Sequence, residues 1–192
     1  MTSFSQERRK LIGGAAFLPL MLGGCSLSGW SEGVSNHAGR RVVTQTVKPL
    51  KINPSDGIAA VNAVRRKHLL PEFAMDPSLQ RAAQAHADLM GRTGQYGHEF
   101  GPKTKFPVRL ASAGFDGSAG ENIGVGYGSI DEAVQGWLDS PGHRKNMLKR
   151  RYDSAGFAYA FNTSGKNPRY THYWVLIMGK PGRGGPARML PV

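Results

Sequence analysis

The first long stretch of helical periodicity covers residues 54–70. One face of a helix there would carry Ile58, Val61, Val64 and His68. Apolar residues that recur every three or four positions are typical of an amphipathic helix that covers a core. Ser55 and Asp56 are the candidate N-caps, because a short polar side chain can accept a hydrogen bond from the first free backbone N–H groups.

A second helix is predicted over residues 75–90. Asp76 is its expected N-cap, and Pro77 takes the first helical position, where a missing N–H has no helical partner to lose. The shared face comprises Leu79, Ala82, Ala83, His86, Leu89 and Met90. A histidine on such a face is expected to be a hydrogen-bonded core residue rather than a ligand.

Two further helices are predicted in the second half of the chain. Ser129 and Glu132 have the spacing of a capping box, which makes Glu132 a cap partner. The buried stripe behind them comprises Ile130, Ala133, Val134, Trp137 and Leu138. A short helix should follow from Ser140, with Pro141 at its first position.

Three segments have the composition of strands, namely residues 121–127, 154–161 and 171–179. They alternate or are rich in β-branched and aromatic residues, and glycines bound them. The order of helices and strands does not form regular βαβ units. An α+β fold is therefore predicted, with helices covering a mainly antiparallel sheet.

The N-terminus has the features of a bacterial export signal. Three basic residues, Arg8 to Lys10, precede a short apolar run, and LGGC at residues 22–25 resembles the lipobox of lipoproteins. Cys25 is the only cysteine in the chain, which fits an acylated N-terminal cysteine. A plain secretory signal with an incidental cysteine is the alternative. Paired arginines indicate the twin-arginine route only weakly, so the export route stays open.

The predicted organisation has four parts. These are a signal peptide over residues 1–24, a polar tether over 25–50, one domain over 51–181 and a flexible tail over 182–192. The tether is rich in Ser and Gly, and the tail in Gly and Pro. The expected location is extracytoplasmic, with membrane attachment through Cys25, either in the periplasm or at the cell surface.

Net charge indicates the kind of partner. The chain carries +12, and about +10 remains without residues 1–24. Outside the cytoplasm, this charge favours anionic lipids or envelope polymers as partners. A basic cluster comprises Arg144, Lys145, Lys149, Arg150 and Arg151. Export and the absence of a recognised nucleic-acid module argue against nucleic acid.

Several familiar catalytic motifs are absent from the sequence. It has no HExxH, no phosphate loop and no CxxC. Three local clusters remain, which place His98 in YGHEF, Glu121 in AGENIG and His143 in SPGHR. A histidine in the first turn of a helix is disfavoured in its protonated form. Two neutral imidazoles and a carboxylate are a set that can hold Zn²⁺ with a position left open for water.

The order of several motifs resembles the bacterial branch of the CAP superfamily (cysteine-rich secretory proteins, antigen 5 and pathogenesis-related proteins), also called SCP-like. The motifs are AHADLM, YGHEF, RLASAGF, GENIG, EAVQGWLDSPGHRKNML, YDSAGFAYAF and HYWVLIMG. The resemblance spans about residues 55–180. It implies an α-β-α sandwich with a central, mainly antiparallel sheet and an open cleft.

By the same resemblance, His98, Glu121 and His143 match three of four cleft residues that animal and plant members carry. The fourth, a glutamate three residues after a tryptophan, is replaced here by Ser140. His86 and His172 match positions that support the site. We therefore expect His98 and His143 as metal or ligand-binding residues, and Glu121 as a cleft residue and candidate catalytic group.

Two functions from different classes follow. The first is a lipid-anchored envelope protein whose cleft binds a divalent metal such as zinc or a small amphipathic ligand, with a basic surface for anionic envelope components. The second is a metal-dependent hydrolase of peptides or wall polymers that uses His98, His143 and Glu121. Family membership does not decide whether the protein is an enzyme, and the oligomeric state stays open.

Overall fold

The computed structural model of the protein describes residues 47–182. In chain order these contain α1 (Pro54–Lys67), β1 (Ala74–Met75), α2 (Pro77–Thr93), α3 (Phe106–Ser112), β2 (Gly117–Val125), α4 (Ile130–Asp139), α5 (Pro141–Met147), β3 (Ser154–Phe161) and β4 (His172–Pro181). A single 3-10 turn, Pro102–Thr104, precedes α3. The signal peptide, Cys25, most of the tether and nearly all of the tail lie outside the described residues.

The four strands form one sheet in the order β1-β3-β4-β2. Strand β4 is antiparallel to both β2 and β3, and only the two-residue β1 pairs in parallel, with β3. Residues 172–179 of β4 are buried on both faces, which is expected when helices cover the two sides of a sheet. The predicted α+β class and the mainly antiparallel sheet are confirmed.

Two hydrophobic clusters lie on opposite faces of the sheet, so the architecture is an α-β-α sandwich. On one face, α2 and α3 contribute Leu79, Ala82, Ala83, Ala87, Met90 and Leu110, which pack with Tyr173, Val175 and Ile177. On the other, α1, α4 and α5 contribute Ile58, Val61, Val134, Trp137 and Met147, which pack with Phe157, Trp174 and Leu176. Alternation along β4 sends successive side chains to opposite clusters.

The cap predicted for α2 is present, whereas the one predicted for α1 is not. Asp76 accepts hydrogen bonds from the N–H groups of Ser78 and Leu79, as expected for α2. Helix α1 is capped by Asn53, whose side chain accepts from the Ser55 N–H, so the predicted cap at Ser55 or Asp56 was wrong by two or three positions. Pro54 takes the first helical position, so the helix begins earlier in the chain than predicted.

The capping box of α4 differs in its second half. Ser129 accepts from the N–H of Glu132, as predicted, but the Glu132 carboxylate accepts from Gly128 rather than from Ser129. Ser140 precedes α5 without a side-chain hydrogen bond to the helix. Glu132 is thus a cap partner, one residue further out than the motif implies.

The buried face of α1 ends in a charged residue. His68 was predicted on this face, but it is exposed at the end of the helix. Arg65 is fully buried instead, and its guanidinium donates to backbone carbonyls of Pro71, Met147 and Tyr152. Burial lowers the pKa of Arg65, against a raising effect of Asp153. Hydrogen bonds to these carbonyls offset the cost of burying the guanidinium.

Helix α2 also closes the open edge of β3. Gln80 donates to the Phe157 carbonyl and accepts from the Phe157 N–H, and Gln84 donates to the Tyr159 carbonyl. Gln80 and Gln84 are four residues apart, which is a rise of about 6 Å along a helix. Phe157 and Tyr159 are two residues apart, which is about 6.6 Å along a strand, so the two spacings match. The glutamines therefore occupy the place of a neighbouring strand.

We expect Gln80→Leu to lower the free energy of unfolding by about 2 kcal/mol, because it removes both partners of the Phe157 backbone at once. Urea unfolding followed by circular dichroism measures this. Gln135→Leu is the matched control, since Gln135 is exposed and bonds only Asp139 on its own helix; it should change stability by less than about 0.5 kcal/mol. Equal losses in both variants would contradict the edge role of Gln80.

Candidate functional site

The predicted site residues lie around β2, an edge strand of the sheet. Glu121 and Ile123 are two residues apart on β2, so their side chains point to the same face of the sheet. Ile123 belongs to the cluster under α2 and α3 on that face. Asn122 points the other way, where its side chain donates to the His143 carbonyl on α5. The edge strand thus joins groups from both helical layers, which is why residues far apart in sequence meet here.

Glu121 is a buried carboxylate whose two oxygens both accept hydrogen bonds. Its side chain is 3% exposed, and Arg109 donates to both oxygens at 2.7 and 2.9 Å. His98 Nδ1 donates to Oε1 at 2.8 Å. Burial alone would raise the pKa of Glu121, but hydrogen bonds from His98 and Arg109 and the charge of Arg109 hold it below its ordinary value. The carboxylate is therefore ionised, and the positive charge of Arg109 balances its negative charge.

Arg109 was not singled out by the sequence. It lies on α3, a seven-residue helix that was not predicted because so short a segment shows no clear periodicity. Its side chain is 9% exposed, and besides Glu121 it donates to the carbonyls of His98 and Thr104. The motif RLASAGF contains this arginine, and an arginine within an apolar run was the available signal. It ties the loop that bears His98 to the sheet.

His98 has one ring nitrogen committed and one free. A carboxylate only accepts, so Nδ1 carries the proton that it donates to Glu121. Within the described residues Nε2 has no hydrogen-bond partner, and the side chain is 53% exposed. His86, fully buried on α2, donates from Nε2 to the Gly97 carbonyl and stacks on Phe100, which supports this loop. The predicted core role of His86 is thus seen in the structure.

His143 lies in the first turn of α5, on the other side of the edge strand. Asn146 donates to Asn122, which in turn donates to the His143 carbonyl, so both asparagines fix the start of this helix. Burial lowers the pKa of His143, and the nearby His98 lowers it further. His143 is consequently a neutral imidazole at neutral pH, as predicted, though burial rather than the helix dipole is the main cause.

The residues present do not form a metal centre with three protein ligands. Both oxygens of Glu121 are bound by Arg109, and Ser140 stands where relatives by motif carry a second acid. Among residues 47–182, no group of three or more histidine, cysteine, aspartate or glutamate side chains is arranged to hold a metal ion. The candidate metal ligands that remain at this site are the two imidazoles of His98 and His143.

Among the described residues, His68 and His172 lie away from this site. His172 is buried on the sheet, with its Nδ1 2.8 Å from the Tyr159 hydroxyl, and it packs against the rings of Tyr159 and Phe161. His68 is exposed at the end of α1. His37 lies outside the described residues. The three residues His98, Glu121 and His143 stay the predicted site, with Arg109 added by the structure.

A shallow cavity adjoins the site on its α2 side. It has a volume of about 250 Å³ and is lined by Arg81, Ala82, Ala85, Lys103, Arg109, Ser112 and Ala113. Alanines form an apolar floor, and three basic side chains surround it. Arg109 is shared between this cavity and the carboxylate of Glu121. Such a lining suits a small amphipathic anion better than a cation.

No helix within residues 47–182 has the length and apolar character that are needed to cross a membrane.

Comparison with known proteins gives consistent matches. The family model for CAP, the cysteine-rich secretory protein family, matches residues 58–178. The uncharacterized protein YkwD of Bacillus subtilis is 32% identical over 104 residues, which is 53% of this chain and 40% of that protein. The uncharacterized membrane protein YlbC of the same organism is 29% identical over 126 residues, 65% of this chain and 34% of that protein. This chain thus spans less than half of either relative.

Solved structures share the architecture. An extracellular protein containing an SCP domain from Bacillus anthracis is 25% identical with a TM-score of 0.57, over 70% of this chain and 45% of that one. An outer surface protein from Borrelia burgdorferi is 21% identical with a TM-score of 0.57, over 69% of this chain and 98% of that one. The second likeness concerns the fold alone.

Proposed function

This chain belongs to the cysteine-rich secretory protein (CAP) family, and from that premise we propose that it is an extracytoplasmic binding protein of the bacterial envelope. Its cleft takes a small ligand between His98 and His143, with Glu121 and Arg109 as the groups that position His98. The export signal, the predicted acylation site at Cys25 and the extracellular SCP-domain protein of Bacillus anthracis support the location.

One observation favours binding over hydrolysis. Glu121 accepts two hydrogen bonds from Arg109 and one from His98, and its pKa is lowered. A general base needs a free lone pair directed at the attacking water and a pKa near the working pH. A carboxylate that is 3% exposed, already accepts three hydrogen bonds and has a lowered pKa is poorly suited to either requirement. Its role in the proposal is to fix the tautomer of His98, as carboxylates commonly do beside a ligand-binding imidazole.

Two occupants fit the two imidazoles. The first is an amphipathic molecule with an acidic head group, whose apolar part would lie on the alanine floor of the adjoining cavity near Arg81 and Lys103. The second is a divalent cation bound by both imidazoles and completed by water or by the ligand itself. The basic surface of the protein is proposed to contact anionic envelope components.

Titration with octanoate and, separately, with Zn²⁺ tests the proposal, using the full chain with Cys25→Ser to prevent acylation. Histidine ring ¹⁵N resonances are the readout, because they report tautomer and ligation directly. At least one probe should shift the signals of His98 and His143, and the double variant His98→Ala/His143→Ala should lose that binding. His68→Ala is the matched control, since His68 is an exposed histidine remote from the cleft.

Failure would be equally clear. If neither probe moves the two resonances, or if the double variant binds both probes as the parent does, the cleft is not the binding site. Measurable turnover of peptides or wall fragments that disappears with His98→Ala would instead restore the hydrolase alternative.

A further inference from the structure

Helix α1 ends in a turn that normally requires glycine. Leu70 N–H donates to the Arg65 carbonyl and Leu69 N–H donates to the Arg66 carbonyl, which is the hydrogen-bond pattern of a Schellman motif. Residue 69 occupies the left-handed position of that motif with φ of 54°. Glycine dominates there because a Cβ is disfavoured in this conformation, and a bulky side chain is a clear outlier.

The side chain of Leu69 contributes nothing to the core. It is 87% exposed, the most exposed large apolar side chain in the described part of the chain. Leu70 is partly buried, so the motif's usual apolar contact is available without Leu69. Residue 69 thus combines a strained backbone with an apolar group in water. Strain that packing does not explain is a reason to look for a function at that residue.

Basic residues lie in two segments that Arg65 joins, the end of α1 with Leu69 and the segment after α5. The buried guanidinium of Arg65 donates to the Pro71 carbonyl on one side and to the carbonyls of Met147, Lys149 and Tyr152 on the other. One side chain therefore fastens the turn at the end of α1 to the segment that follows α5. We call residues 66–69 together with 149–151 the basic tip; its cations are Arg66, Lys67, Lys149, Arg150 and Arg151.

Acidic neighbours leave most of this charge uncompensated. Glu72 pairs with Arg66 at 2.7 Å, and Asp153 pairs with Lys180. Within residues 47–182, Lys67, Arg150 and Arg151 have no acidic partner. The guanidinium of Arg151 and the ammonium of Lys149 lie over the ring of Tyr152, at 5.6 and 4.8 Å from its centre, which holds both cations at the tip.

We propose that the basic tip docks on an anionic lipid bilayer, with Leu69 inserted at the level of the head groups and the cations on the lipid phosphates. An exposed apolar side chain on the same tip as several cations is complementary to that boundary, where charge and hydrocarbon lie a few ångströms apart. A polysaccharide or polyphosphate would explain the cations and leave the exposed leucine without a partner. The inference extends the envelope location proposed above and is independent of the cleft.

Vesicle co-sedimentation tests it, with the full chain carrying Cys25→Ser. The chain should bind vesicles of phosphatidylglycerol and phosphatidylcholine, and should bind pure phosphatidylcholine far less. Arg150→Gln/Arg151→Gln should weaken binding about 30-fold, since each basic residue near an anionic surface contributes about fivefold. Lys166→Gln/Arg169→Gln changes the charge equally in the loop at the other end of β3 and should have no such effect.

Leu69→Asn separates docking from folding. Asparagine tolerates the left-handed conformation, so the thermal midpoint should stay or rise by about 2 to 4 °C. Vesicle affinity should nevertheless fall about tenfold, because the inserted apolar group is lost. A residue with only a structural role would change the thermal midpoint and leave vesicle affinity unchanged.

Three results would overturn the inference. These are unchanged vesicle affinity in Leu69→Asn, equal binding to the two kinds of vesicle, or stronger binding to a soluble polyanion such as polyphosphate than to the anionic vesicles. The cleft proposal can be judged separately, because His98→Ala/His143→Ala should bind vesicles as well as the parent chain.

Discussion

Gly156→Ala is expected to lower the free energy of unfolding by at least about 3 kcal/mol, and a failure to fold at 37 °C would be consistent with this loss. Added at Gly156, a Cβ would lie 2.4 Å from the backbone N of Gln80 and the backbone C of Leu79. Both atoms belong to the first turn of α2, so no flexible side chain can move aside. Overpacking typically costs about 1 to 3 kcal/mol, and a displaced α2 would also lose the Gln80 bonds to β3.

Gly142→Ala is the matched control. Gly142 lies in the first turn of α5 with nothing within 4 Å of its hypothetical Cβ. Alanine there should be neutral or stabilising by up to about 1 kcal/mol, because it favours the helix. Urea unfolding of both variants by circular dichroism decides the matter. A Gly156→Ala protein as stable as the control would show that α2 does not rest directly on the β3 backbone.

Local periodicity was sufficient to predict most of this fold. Residues 171–179 alternate between two sets of apolar side chains, and β4 buries both sets. Asp76 and Pro77 mark the start of α2 by chemistry that depends on neighbouring residues alone. Caps, alternation and helical stripes are properties of short windows, so a single sequence carries them.

Features that depend on distant partners were not predictable in this way. Arg65 is buried because carbonyls from residues 71 and 147–152 surround it, and His68 is exposed because the Schellman turn has begun. Strand β1 has two residues, too few for any pattern. In each case the deciding contact joins segments far apart in the chain, whose meeting only the assembled fold specifies.

The candidate site was also predictable only in part. Motif resemblance selected His98, Glu121 and His143, but it did not indicate how their hydrogen bonds are distributed. The salt bridge of Arg109 with Glu121 turns a candidate base or metal ligand into a positioning group. Glu121 has this role because α3 brings Arg109 to the edge strand. The seven residues of α3 show no helical periodicity in the sequence, so this contact could not be predicted.

Glu121→Gln is expected to destabilise the protein by about 3 to 5 kcal/mol. The substitution leaves the guanidinium of Arg109, 9% exposed, without its counter-charge, and losing one partner of a buried pair has this magnitude. Glu72→Gln is the matched control, because the Arg66–Glu72 pair has the same chemistry with side chains 58% and 51% exposed. It should cost less than about 1 kcal/mol.

The pH dependence of stability gives a second, independent readout. The folded pKa of Glu121 is lowered, so its contribution is fully present above the ordinary glutamate pKa of about 4.3. That contribution is lost as the pH falls through the lower folded pKa, because the unfolded chain then binds more protons. The parent should therefore lose stability below about pH 4.3 more steeply than Glu121→Gln. Parallel curves for the two proteins would contradict a lowered pKa.

The double variant Arg109→Leu/Glu121→Leu separates the function of the pair from its contribution to stability. Replacing a buried ion pair by apolar groups is often neutral, so most of the stability lost in either single variant should return. His98 would then lack the acceptor that fixes its Nδ1 proton, and its ring nitrogens should report a mixture of tautomers. A stable double variant with weakened ligand binding would identify the pair as a device that orients His98. Unchanged binding and a single tautomer would show that the pair only closes the edge of the sheet.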